Sequence, residues 1–227
     1  PLLNVLQRRL ELAYDQEEKK RLRFEIAGVW ESGVEDPAHA IEAYGDVLAL
    51  DEGFLPALKA LERLYTQEER WSELVEVYER QVSLAEDGDE AILILTRIAA
   101  IHEEQFRSLA DASRTLIRIL EINPEHLPTV KSLERVWTAS GDWANLVDAH
   151  LRHIELVKKP EDAVALYLAI GELYQGKLGQ EEQAEEAFRQ ALAASPNSKE
   201  ALKSLADLHE RQGSWFNALE MLSSLAA

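Results

Sequence analysis

Apolar residues along this chain recur three and four positions apart, the stripe of an amphipathic helix. Ile26/Val29/Trp30, Leu58/Leu61/Leu64/Tyr65 and Leu74/Val75/Val77/Tyr78 are examples. No stretch alternates with period two for long enough to make a strand. Residues that reverse a chain stand between the stripes: Asp36-Pro37, Asn123-Pro124, Ser140-Gly141-Asp142, Ser195-Pro196-Asn197 and Gly213-Ser214. Stripes and breaks together predict thirteen helices, at roughly 2–16, 18–32, 36–50, 55–68, 71–85, 88–105, 108–122, 127–139, 143–157, 160–176, 180–194, 198–212 and 215–226.

The pattern itself repeats every 72 residues without an insertion. Trp71, Trp143 and Trp215 keep that spacing, as do Ile26, Ile98 and Ile170, then Ala40, Ala112 and Ala184, then Leu48, Leu120 and Leu192. A fixed period of this size means a stacked array in which each unit buries its apolar face against its neighbours. Each period holds two helical hairpins; in the third they run from Leu166 to Asn197 and from Ala201 to Leu225. The expectation is one quasi-linear array over 1–227, with a half-repeat at 1–16 and double repeats at about 18–88, 89–160 and 161–227. The chain begins and ends in the same phase, Leu2–Leu6 aligning with Ala218–Leu222, and neither end carries a polar capping helix. It therefore reads as a window cut from a longer array, or else as a chain whose open ends are covered, head-to-tail self-association being one way.

The pattern resembles the tetratricopeptide repeat, a ~34-residue helix–turn–helix unit. Tyr167, Ile170, Gly171 and Tyr174 match its first-helix signature, and Ala184, Phe188, Ala191 and Pro196 its second. Ile98, Ala99, Ala112, Leu116, Ile119 and Pro124 fill the same slots one period earlier, and Ile26, Ala27, Trp30, Ala40, Tyr44 and Val47 before that. The second hairpins are looser: their Gly/Ala slot holds Glu62 and Glu134 before Ala206. The first hairpins carry about one extra residue in their turn, splitting the period 35 + 37. The resemblance implies an all-α, right-handed superhelical solenoid that binds proteins or peptides and is not an enzyme. Small residues at 27, 99 and 171 and at 40, 112 and 184 stand where two helices approach most closely. The three tryptophans open second helices, where an indole packs against the preceding helix rather than forming a ligand-stacking stripe.

Composition narrows the function further. With 42 acids against 24 bases the formal charge is -18, a field that repels nucleic acid. There is no cysteine, so disulfides and thiolate metal sites are excluded while the compartment stays open between cytosol and periplasm. No apolar run approaches the ~18 residues of a membrane span, and no membrane insertion is expected. His150 and His153, three apart on one helix, occupy slots held elsewhere by Tyr78, Gln81, Leu222 and Leu225, which marks them as a packing pair and not a metal site. His102 and His209 fill an aromatic slot; His39 and His126 fall in turns or on the surface. Carboxylate runs such as Glu103-Glu104 sit on polar faces, and the glycines at 171, 176 and 179 do not form a phosphate loop. No nucleophile–base constellation is present. No catalytic residue, metal or cofactor is expected.

In repeats of this family the first helix of each hairpin lines the concave groove. Carried over slot by slot, the second hairpins present Lys59 and Arg63, then Lys131 and Arg135, then Lys203 with Asp207. The first hairpins present Phe24, Gly28 and Glu31, then Thr96, Ala100 and Glu103, then Leu168, Glu172 and Gln175. The expectation is a groove of basic rungs at Lys59, Arg63, Lys131, Arg135 and Lys203, with pockets at Phe24, Thr96 and Leu168, taking an acidic extended segment of a partner protein. Against it stands a plainer reading, local Glu62–Arg63 and Glu134–Arg135 pairs on an exposed helix. No asparagine occupies the slots with which some family members clamp a chaperone's C-terminal carboxylate, which disfavours a co-chaperone. The rival functions are a ligand sensor that changes pitch on binding, and a regulatory arm of a larger protein.

Overall fold

Every hairpin reverses through one left-handed residue, and these residues set the frame of the molecule. They are Glu35, Glu69, Arg107, Gly141, Gly179 and Gly213, with φ between 53° and 73°. In the second hairpins the turn closes from Arg70 N to the Tyr65 carbonyl (2.8 Å), Asp142 N to Trp137 (3.0 Å) and Ser214 N to His209 (2.8 Å). In the first hairpins the closing bond reaches one residue further: Asp36 N to Trp30 (3.0 Å), Ser108 N to His102 (2.8 Å) and Gln180 N to Tyr174 (2.9 Å). The extra residue of the first hairpins lies there. It widens the last turn into a π turn at Trp30–Val34 and at Tyr174–Leu178.

The computed structural model describes residues 2–226; Pro1 and Ala227 lie outside them. Among the described residues there are thirteen α-helices and no strand: α1 Leu2–Leu12, α2 Gln16–Val29, α3 Pro37–Leu48, α4 Leu55–Gln67, α5 Trp71–Leu84, α6 Gly88–Glu104, α7 Leu109–Ile122, α8 Leu127–Ser140, α9 Trp143–Leu156, α10 Pro160–Leu173, α11 Glu181–Ala194, α12 Lys199–Arg211 and α13 Trp215–Ala226. The fold is an all-α helical-repeat solenoid. Helix starts are fixed locally. The side chains of Asp15, Asp36, Asp87, Asp142 and Ser198 each accept from a backbone N–H in the first turn, and Pro37, Pro56, Pro128 and Pro160 sit where a missing N–H costs nothing. Asp15 is why α1 stops at Leu12 and not near residue 16.

The internal contacts divide the chain into two compact units, Pro1–Thr115 and Leu116–Ala227. In the first, consecutive helices from α1 to α6 pack on one another. Its core joins Ala27, Ala40, Tyr44, Val47, Leu58, Leu61 and Val77 across α2 to α5, with a smaller cluster of Leu6, Leu22 and Ile26 under α1. In the second, α8 to α13 stack in the same way. Ala184, Phe188, Leu205 and Leu208 form one cluster there, and Val147, Ile170 and Ala187 another. Ala27, Ala40 and Ala184 are fully buried, as helices in close approach require. The tryptophan ladder is not uniform. Trp71 and Trp143 are half-buried, but Trp215 is 68% exposed. Phe216 and Leu219 beside it are exposed too, as are Leu2 and Val5 on α1.

Candidate binding groove

In the first unit the residues expected to line a groove lie on α2 and its π turn, on α4 and on α6. Arg63 does not pair with its neighbour Glu62. Its Nε donates to Glu31 Oε1 in the π turn that follows α2 (2.9 Å), and a second guanidinium nitrogen reaches the same oxygen. The other oxygen of Glu31 accepts from the Tyr44 hydroxyl (2.8 Å). Tyr44 is buried on α3, and burial first, then the bond and charge of Glu31, push its hydroxyl well above the ordinary tyrosine range. Lys59, one turn before Arg63, is exposed and makes no ion pair or hydrogen bond. Gly28, one turn before Glu31, leaves a notch: a Cβ there would meet nothing nearer than the Tyr44 hydroxyl at 3.8 Å.

Phe24, a further turn back along α2, is half-buried. Its ring lies 5.5 Å from that of Tyr44 and 5.4 Å, edge-on, from that of Phe54. Beside it opens a cleft of about 460 Å³ lined by Phe24, Phe54, Asp15, Glu17, Glu18, Lys20 and Arg21. Lys20 Nζ is held by Asp51 at 2.8 Å and by Glu17, and lies over the Phe54 ring. Thr96 on α6 is exposed, and its hydroxyl turns back to the Ile92 carbonyl (2.8 Å).

In the second unit Lys131 on α8 and Lys203 on α12 are exposed and unpaired like Lys59. Arg135 is exposed and has an interaction of its own. Leu168 is half-buried, packed on the Ala184–Phe188–Leu205 cluster. Glu172 and Asp207 are exposed; the Gln175 amide nitrogen is buried without a partner. The residues equivalent to Glu31 and Arg63 are thus Gln175 and Asp207, so this rung is rebuilt in the third period.

Sequence reasoning missed a second set of polar contacts, at the slot it read as a loosened Gly/Ala position. Glu62 accepts from Gln81 Nε2 (3.0 Å), the Tyr78 hydroxyl (3.2 Å) and Arg97 (2.8 Å), joining α4, α5 and α6. Its counterpart Glu134 takes two imidazoles on one oxygen, His150 Nδ1 at 2.8 Å and His153 Nδ1 at 2.9 Å. Burial alone would raise the Glu134 carboxyl, but these two bonds hold it below the ordinary glutamate value. The signal was in the sequence: where the slot becomes Ala206, the two partners become Leu222 and Leu225.

The remaining histidines are packing and turn groups. His209 is buried, His102 lies against Phe106, and His39 stacks on Trp30 at 4.6 Å. Among the described residues no group of three or more His, Cys, Asp or Glu side chains is placed to hold a metal ion. Nor, among them, is any helix long and apolar enough to cross a membrane.

Family models described as tetratricopeptide repeat match residues 57–92, 129–164 and 164–198. Two of these stretches are the second hairpins of successive periods, 72 residues apart, so the hairpins that depart most from the signature still carry it. No curated protein matches. Among solved structures, MamA is 17% identical over 88% of this chain and 92% of its own, with a TM-score of 0.43. YrrB, described as a TPR protein with an unusual peptide-binding site, is 18% identical over 81% and 90%, with a TM-score of 0.40. BtubC from P. vanneervenii is 13% identical over 86% and 89%, with a TM-score of 0.42.

Proposed function

The chain is an array of tetratricopeptide repeats, a protein-interaction scaffold, and on that premise we propose that it is non-catalytic and holds an acidic, extended segment of a partner protein along its groove. One observation carries this reading. Lys59, Lys131 and Lys203 stand at one slot, 72 residues apart, all exposed and all unpaired, in a chain with 18 more acids than bases. Lysines left free at the same slot of each period, within a strongly acidic chain, are available to carboxylates from outside. The half-buried Phe24 in the first unit and Leu168 in the second offer apolar contact to the same ligand.

The test is fluorescence anisotropy with a labelled octapeptide of alternating Glu and Ser, set against its Lys/Ser counterpart. The acidic peptide binds and the basic one does not; binding weakens as salt is added and is lost in the Lys59→Glu/Lys131→Glu/Lys203→Glu protein. Equal binding by the triple variant removes the groove reading.

A further inference from the structure

The Lys59–Arg63 rung of the first unit is already holding a carboxylate, and that carboxylate belongs to the chain itself. Arg63 is 53% exposed, as a ligand-facing cation would be, yet its guanidinium is turned onto Glu31. Glu31 is only 20% exposed and is anchored from below by the Tyr44 hydroxyl at 2.8 Å. The anchoring hydroxyl is set by the repeat: at the same slot two periods later stands Phe188, with no hydroxyl, and there the glutamate is Gln175 and the arginine Asp207. In the second period the glutamate and arginine stand as Glu103 and Arg135 with Leu116 at the tyrosine slot, so the hydroxyl anchor belongs to the first period alone. Lys59, one turn from Arg63 on the same face of α4, has no such partner. The notch at Gly28, one turn from Glu31, leaves the approach open.

The geometry points to Glu31 as a built-in competitor, an internal carboxylate that occupies Arg63 and that an acidic partner side chain must displace to bridge Lys59 and Arg63. The inference rests on the proposed acidic ligand. An incoming carboxylate offers Arg63 the same bond that Glu31 already makes, so the exchange gains little at Arg63 itself, and net affinity comes from Lys59. Removing the competitor's charge without its shape leaves Arg63 free to add its own attraction. Loosening its anchor acts in the same direction more weakly.

The experiment measures the affinity of the labelled Glu/Ser octapeptide for the full chain and for Glu31→Gln, Tyr44→Phe, Lys59→Glu and the double variant Glu31→Gln/Arg63→Gln. Glu31→Gln binds about two- to fivefold more tightly, the range of an exposed ion pair. Tyr44→Phe shifts in the same direction, and the gain disappears when Arg63→Gln is added. If Lys59→Glu weakens binding while Glu31→Gln and Tyr44→Phe leave it unchanged, the groove reading stands and the competitor is refuted. Should Lys59→Glu also be without effect, or the peptide not bind at all, the ligand class is wrong and both proposals fall. Thermal melts run on each protein guard against misfolding. If Glu31→Gln does not fold, Tyr44→Phe, which copies the Phe188 slot, decides the question.

Discussion

A Cβ placed on Gly171 would lie 2.2 Å from Phe188 Cε1, 2.5 Å from Cδ1 and 2.7 Å from Cζ. The ring therefore occupies the volume that any other residue at 171 would fill, and α10 and α11 approach through it. The equivalent pair in the first period is Ala27 with Tyr44, both buried in one cluster. Gly171→Ala forces the Phe188 ring aside in a fully buried site and costs about 1–3 kcal/mol of stability, read by urea unfolding. Adding Phe188→Leu, which copies the Ala99/Leu116 combination of the second period, restores part of the loss. A Gly171→Ala protein as stable as the parent would mean that the ring has room to move.

The left-handed residues offer a test of opposite sign. Glu69 has φ 54° where its counterparts are Gly141 at 73° and Gly213 at 71°. A Cβ in this conformation costs about 1 kcal/mol, and glycine avoids it. Glu69→Gly raises the urea midpoint, and Gly141→Glu lowers it by a comparable amount. Opposite shifts in the two proteins are the required result, since the turns share one hydrogen-bond frame.

Much of this architecture was legible in the sequence because it depends on short-range facts. The apolar stripes gave all thirteen helices to within a few residues, and the extra residue per first hairpin was visible in the 35 + 37 split. The destinations of long polar side chains were not legible. Glu62–Arg63 and Glu134–Arg135 look like pairs on paper, but adjacent residues on a helix point about 100° apart and meet different neighbours. Glu62 faces α5 and α6, while Arg63 faces the π turn after α2. Trp215 illustrates the same limit from the apolar side: its slot is that of Trp143, but Lys177 lies 5.0 Å over the Trp143 ring and nothing described covers Trp215.

Glu134 gives a pH dependence with a defined sign. Although burial opposes ionisation, the bonds from His150 and His153 leave its folded value below the ordinary 4.5. A depressed carboxyl contributes stability that is present above the unfolded value and is lost as pH falls through the folded one. The wild-type protein is therefore more stable than Glu134→Gln near pH 6, by about 1–2 kcal/mol, and the gap closes as pH drops below 4.5. Urea midpoints for the two proteins at pH 6, 5, 4 and 3 read this directly. A gap that stays constant over that range would show that the carboxylate's charge contributes nothing.

The Glu62 contacts test whether a polar slot and its partners form one unit. Gln81 and Tyr78 are buried and give their side-chain hydrogens to Glu62, so Glu62→Ala strands two donors and leaves Arg97 without its carboxylate. An unsatisfied buried donor costs about 1–3 kcal/mol, more than the surface ion pair to Arg97 is worth. Arg97→Ala is accordingly mild, and Glu62→Ala is severe. The third period shows the remedy, with Ala206, Leu222 and Leu225 at the same three slots. Glu62→Ala/Tyr78→Leu/Gln81→Leu removes donors together with acceptor and recovers most of the stability lost by Glu62→Ala alone, because an apolar set buried as a whole leaves no group unpaired. If the triple variant is less stable than the single one, the three residues act independently and the equivalence between periods does not extend to their packing.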